Sequence, residues 1–426
     1  MNGIQRHTAW AAVQPWIMWL IGAVFYFYTF FQRTAPSAMV PELMADLNVS
    51  AGALGQLSAY YFYAYAAMQI PTGILADYWG PRRLLLGAAG LSGVGCLLFA
   101  TAEGLTMASI GRLMIGAGAG FGFISTLKVI TEWFPPGRLA MLSGMTMLLG
   151  MAGGVAGQAP LAAGVALVGW RPIMMGAAIV ALLGCAVVVI IFRNRPPKLD
   201  DRGYESATAG SGRRLGLMST ARNPQTWVFI GFGATIPAGM HAFGGLWGVP
   251  YMMQVYGMSR PDAAFSASLI LIGWGLAAPV VGWLSDRLGR RKPVLIACAA
   301  LAGATLGTLI YVAPLAPLTV KCLMFAHGVS VAGMVVCFAG VREQNRPEDA
   351  GVAIAYVNMA VILCGAILQP LVGALLDLGW QGHLFEGARL YSLAAYRHAF
   401  LVFPAALAMA FLFACLIREA PRPARA

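Results

Sequence analysis

Six basic side chains fall inside long apolar runs: Arg33, Arg112, Lys128, His241, Lys321 and His327. A charge in such surroundings costs several kcal/mol unless it is paired, reaches an interface or faces water. All sixteen acidic residues lie in loops, tails or the ends of runs, so the chain offers these cations no counter-charge at mid-run depth. If they face a cavity, the partner that fits is an anionic group on a solute, either an organic anion or a zwitterion bearing a carboxylate.

The candidates differ in what else they could do. Arg33 shares a helical face with Tyr26, Phe30 and Ser37, and its planar fork suits a bidentate carboxylate. The alternative is an arginine snorkelling to the interface. Lys128 lies sixteen residues beyond Arg112, about 160° around a helix, so the two do not share a face. Lys128 can instead pair with Glu132 one turn on. His241 and His327 are the only mid-run groups that titrate near neutrality, and each can equally be a neutral buried imidazole bonded to a carbonyl. Lys321 is placed to snorkel. Tyr61, Tyr65 and Gln69 form one i,i+4 stripe with Tyr60 and Tyr63 beside it, suited to a cavity wall or to packing between helices. Asn358 and Gln369 are further hydrogen-bonding candidates.

These residues need a scaffold that composition makes plain. Hydrophobic residues are 59% of the chain and charged residues 10%, far from the roughly 25% charge of soluble domains. Mean hydropathy is +0.73. Twelve apolar runs, at 15–39, 52–77, 83–102, 105–134, 139–164, 172–192, 225–255, 262–286, 293–314, 317–341, 350–377 and 396–417, are each long enough to cross a bilayer core of about 30 Å. Unbroken runs predict helices, so the fold class is an all-α polytopic membrane protein. The first run is too long for a signal peptide and lacks a small-residue cleavage site, so it is retained as helix one.

The net charge of +12 does not mark a nucleic-acid binder. With the N-terminus in the cytoplasm, twenty of the 28 Lys and Arg residues fall on the cytoplasmic side and only Arg171, Arg260, Arg389 and Arg397 fall outside. This positive-inside bias places both termini in the cytoplasm. The seven cysteines sit inside apolar runs without metal-ligand spacing, as small core residues. No cofactor or metal is expected. The polar stretch at 193–225 reads as a linker between a bundle at 1–192 and one at 226–426.

A loop signature occurs twice. Gly73, Asp77, Gly80, Arg82 and Arg83 share their offsets with Gly282, Asp286, Gly289, Arg291 and Lys292, 209 residues on. The signature resembles the loop between helices two and three of the major facilitator superfamily of secondary transporters, and its echo between helices eight and nine. Arg112 and Gly116 are similar to that family's helix-four Arg-x-x-x-Gly pattern. The resemblance implies two pseudo-symmetric six-helix bundles, with helices one, four, seven and ten lining a central cavity and carrying the six cations. It also implies alternating access, with the duplicated loops as gates. Asp77, Arg82, Arg83 and Glu132 would form one gate, and Asp286, Arg291, Lys292 and Glu343 its counterpart.

The expected activity is secondary or facilitative transport of a small carboxylate-bearing solute, with the expected binding set being Arg33, Tyr26, Tyr61, Tyr65, Arg112, Lys128, His241, His327 and Asn358. Around Phe30 to Arg33 the chain looks like bacterial relatives of the lysosomal dipeptide transporter branch, and oxalate:formate exchangers share the cationic cavity. No Walker loop is present, and no convergent nucleophile, base or metal set suggests an enzyme. Two alternatives remain open. One is a multidrug/proton antiporter, disfavoured by the poor match at Gly153 to Pro160 to the drug-antiporter pattern. The other is a transporter-like sensor without turnover. The expected setting is a monomer in a bacterial inner membrane, with the solute and the bilayer as its partners.

Overall fold

The computed structural model describes residues 2–194, 216–312 and 314–419, with side chains from residue 13 onward except at positions 70, 73, 74, 77, 136 and 140. Most of the expected linker, 195–215, lies outside the described residues. Ten described helices are long and apolar enough to cross a membrane. Helix one runs Asn2–Thr34 and helix six Trp170–Ile191; helix eight is Arg260–Leu288, helix nine Lys292–Tyr311 and helix eleven Ala350–Leu378. Helices two and three form the 50-residue stretch Ala51–Ala100, broken at Gly80, whose φ of 70° lies in the left-handed region. The matching Gly289 after helix eight has φ 60°. Both turn glycines of the duplicated signature therefore take a conformation that disfavours a side chain.

Several expected spans are interrupted. Helix four is Leu105–Gly120 followed by Gly122–Trp133, helix five is Leu139–Ala156 followed by Ala159–Val168, and helix ten is Pro317–Val331 followed by Gly333–Glu343. Helix twelve comprises Leu393–Ala399 and Val402–Leu416. Helix seven departs furthest from the single span expected at 225–255. It is α-helical over Pro224–Thr235, π-helical over Gly239–Trp247 and α-helical again over Gly248–Tyr256. Pro237 removes a backbone donor just before the π-turn, and three glycines within it relax the local ladder.

Packing repeats between the halves. Helix one packs on five as seven packs on eleven, three on six as nine on twelve, and eight on ten as two on four. Helix crossings without a side chain between them make several of these contacts. A Cβ on Gly153 would overlap the Phe27 carbonyl, one on Gly116 the Tyr61 carbonyl and one on Gly328 the Ile270 carbonyl, the close approach that small residues permit in membranes. Helix seven is held to helix twelve by an aromatic cluster, with Phe243 5.5 Å from Phe400 and Tyr251 5.2 Å from the same ring.

The halves meet through helix two on eleven and helix five on eight. At the face opposite the linker, Glu42 pairs with Arg260. On the same face Asp377, at the end of helix eleven, accepts from the amides of Ala51 at 3.1 Å and Gly52 at 2.8 Å. A carboxylate of one half thus caps the electropositive N-terminus of a helix of the other. Arg389 and Tyr391 hold that carboxylate at 3.1 and 2.9 Å. A two-stranded ribbon, Leu384–Phe385 with Ala388–Arg389, interrupts the otherwise helical fold here.

Candidate functional site

Arg33, near the end of helix one, is 9% exposed. Its guanidinium lies 4.5 Å from the centre of the Phe30 ring, 5.2 Å from Tyr65, 5.8 Å from Phe62 and 5.9 Å from Tyr61. The helix-two stripe expected from its spacing is thus half of an aromatic cage around this cation. Tyr61 is pinned by donating to the Thr29 carbonyl at 3.0 Å, which fixes the cage wall to helix one. Its ring also lies 5.1 Å from Arg112. No described carboxylate forms an ion pair with Arg33 or Arg112.

A small internal cavity of about 20 Å³ borders Arg33, enough for roughly one water. Its walls are Phe30, Arg33 and Thr34 of helix one, Phe62 of helix two, Met240, His241 and Gly245 of helix seven, and Leu271 and Trp274 of helix eight. Three nitrogens of this wall, Arg33 Nε, His241 Nε2 and Trp274 Nε1, are buried without a hydrogen-bond partner. Two are obligate donors, and the imidazole nitrogen donates in one tautomer or when protonated. Buried polar atoms are seldom left unpaired, which makes this cavity a candidate site for acceptor oxygens. The π-turn of helix seven presents His241, whose ring meets Phe62 edge to face at 5.6 Å.

Other expected residues lie elsewhere. Arg112, 1% exposed, donates from Nη1 to the Gln32 carbonyl at 2.9 Å and forms no part of the cavity wall. His327 accepts or donates at Nδ1 toward Thr305 of helix nine at 3.3 Å, and its other nitrogen faces Gly239, so helix seven separates it from Arg33. Tyr26 does adjoin the cage, packing on Phe30 at 5.0 Å as well as on Phe123 and Gly150, but it lines no part of the cavity. Lys128 and Glu132 are half-buried on the second part of helix four, and Asn358 is partly exposed on helix eleven. Lys321 pairs with Asp262 at 2.7 Å, at the face opposite the linker. The cavity is walled by helices one, two, seven and eight rather than one, four, seven and ten. Phe62 and Trp274 were not singled out from the sequence, although the placement of Trp274 between Gly273 and Gly275 in mid-helix was a readable irregularity.

The duplicated loops lie at the linker face. Arg291 is forked on Glu343, from Nε at 3.2 Å and Nη2 at 2.6 Å, and bonds Asp286 at 2.6 Å. The bond to Glu343 holds the Arg291 guanidinium above its ordinary pKa. The Glu419 carboxylate accepts from the amides of Arg291 and Lys292 at 3.0 and 2.9 Å. In the first half Arg82 donates to the Val189 carbonyl at 2.6 Å and its amide to Asn194 at 2.9 Å, while Arg83 is exposed. The Asp77 side chain lies outside the described residues. These two clusters each stay within one half, unlike the Glu42–Arg260 and Asp377 contacts at the opposite face.

Comparison with known proteins matches residues 22–359 and 237–426 to the family model of the Major Facilitator Superfamily. The chain is 24% identical over 302 residues to the probable sulfoacetate transporter SauU of Cupriavidus necator, covering 68% of this chain and 70% of that one. It is 26% identical over 425 residues to the membrane sensor protein UhpC of Escherichia coli, covering 94% and 93%. Among solved structures, a bacterial homologue of the human lysosomal transporter Spinster superposes with a TM-score of 0.76 at 16% identity, over 96% of this chain and 97% of that one. This last likeness is one of fold.

Proposed function

The chain belongs to the Major Facilitator Superfamily, and we propose that it is a secondary transporter of a small organic anion, with a carboxylate or sulfonate head at the Arg33 cavity. The observation that carries this reading is that Arg33, His241 and Trp274, each with a buried unpartnered nitrogen, line one cavity, and that no described carboxylate pairs with Arg33. The relation to a probable sulfoacetate transporter supports an anionic cargo. A lipophilic cation, the cargo of the multidrug alternative, would be repelled by Arg33 and Arg112.

The positive-inside bias supports a cytoplasmic linker face, and a bacterial inner membrane is the setting proposed with it. On that assignment the Glu42–Arg260 and Asp377 contacts close the path to the outside, and the Arg82 and Arg291 clusters belong to the inner gate. The lack of a mid-membrane carboxylate supports exchange or facilitated diffusion over proton symport, with His241 as the one cavity group able to carry a proton. A sensor reading is favoured by one observation, the near full-length relation to UhpC. It keeps the same binding site and removes only flux.

The test is a thermal-shift screen of purified protein against carboxylates, sulfonates, amino acids, dipeptides and lipophilic cations. A small anion at a hundred times its Kd is expected to stabilise by about 2.7 kcal/mol. Trp274→Phe keeps an aromatic side chain, though a smaller one, loses the N–H and should need several-fold more of the same anion for an equal shift. Stabilisation by lipophilic cations alone would contradict the reading.

A further inference from the structure

Gln158 and Gln369 are 211 residues apart, the separation that also relates Glu132 to Glu343; Gln158 lies at the break between the two parts of helix five and Gln369 within helix eleven, and these helices correspond in the two halves. Gln158 is 1% and Gln369 0% exposed. Both donate a side-chain amide to a backbone carbonyl of the same π-turn in helix seven. Gln158 Nε2 reaches the Gly244 carbonyl at 2.7 Å and Gln369 Nε2 the His241 carbonyl at 2.8 Å. Each acceptor is a carbonyl oxygen, so a flipped amide would set oxygen against oxygen. The Oε1 atom of each has no partner, so each side chain makes this one bond.

The two bonds differ in what they join. Gln369 and His241 belong to the same half, and the Gln369 carbonyl is itself held by Trp247 Nε1 at 2.9 Å. Gln158 crosses to the other half. Strict repeat symmetry would direct it to helix one, on which helix five packs; helix one, however, is an unbroken α-helix through Thr34. Helix seven is the segment whose widened π-turn leaves carbonyls for lateral donors, and π-turns often sit at functional sites.

We propose that Gln158 and Gln369 are a pair of positioning residues for the His241 segment. Gln369 fixes His241 to helix eleven in every conformation. Gln158 couples closure of the two halves to the shape of the cavity, because its bond forms only when helix five lies against helix seven. Binding of the solute and closure of the far face are thereby linked through one backbone carbonyl. This rests on the Arg33 cavity being the solute site.

The test replaces each glutamine by methionine, which has similar length and no N–H. Spin labels at Leu167→Cys and Leu378→Cys, in a cysteine-free background, report the separation of the halves at the far face, where both positions are more than four-fifths exposed. Loss of one neutral buried bond is expected to shift the open-to-closed ratio about fivefold toward the wider distance in Gln158→Met. Gln158→Asn, one methylene too short, should give the same shift. Gln369→Met should leave the distances unchanged and weaken anion binding several-fold. Unchanged distances in both Gln158 variants, or the same response from Gln158→Met and Gln369→Met, would overturn the proposal. The distances are read without solute, so this failure is distinct from failure of the transport reading.

Discussion

Arg33→Ala is expected to weaken anion binding by about a hundredfold, the usual loss when one partner of a buried charge pair is truncated. The alanine variant loses the charge and its donors together. It also leaves four aromatic rings, Phe30, Tyr61, Phe62 and Tyr65, without the cation they surround. Arg33→Lys keeps the charge but loses the fork and the flat stacking surface, so a loss of about tenfold is expected. Arg112→Lys is the informative contrast. Arg112 bonds a backbone carbonyl of helix one behind Tyr61 and does not line the cavity, so its effect on affinity should be smaller than that of Arg33→Lys. Equilibrium binding of the anion found by thermal shift decides this. Equal affinities in wild type, Arg33→Lys and Arg33→Ala would assign Arg33 to packing.

Gly153→Ala is expected to be among the most damaging single changes, at about 3 kcal/mol or more, because the obstruction is backbone and cannot rotate away. A Cβ at position 153 would overlap the Phe27 carbonyl and lie 2.7 Å from its carbon. The crossing of helices one and five that carries Arg33 to the cavity would have to open. Gly184→Ala on helix six is the control, since a Cβ there meets nothing within 4 Å. Melting temperature and the yield of monodisperse protein should fall sharply for Gly153→Ala and stay near wild type for Gly184→Ala. Similar melting of the two variants would show that the crossing has slack.

Much of this architecture is legible in the sequence because its causes are local. A twenty-residue apolar run, a glycine at a turn and a cation without a carboxylate each appear directly in the residue order. The duplicated signature, read from spacing, corresponds to two glycines with positive φ, Gly80 and Gly289. The aromatic stripe of Tyr61 and Tyr65 and the cation of Arg33 lie on different helices yet meet. What is not legible is which side of an almost wholly apolar helix faces inward. His327 and His241 look alike as mid-run histidines, but one turns toward Thr305 of helix nine and the other toward Phe62 of the opposite half. Trp274 and Gln158 escape notice for a related reason: alone, an indole or an amide in an apolar run reads as packing. Their contacts exist only once helix eight meets helix one and helix five meets helix seven. The π-turn is intermediate, since Pro237 and three nearby glycines announce an irregular helix without fixing its form.

Flux through the purified protein separates a carrier from a sensor built on the same site. Reconstituted into vesicles loaded with the unlabelled anion, with no proton gradient imposed, the wild-type protein should take up labelled anion by counterflow, saturably. Arg33→Ala at equal density should show no more uptake than empty vesicles. Tight binding of the anion by wild type with no counterflow would contradict transport and leave the sensor reading in its place.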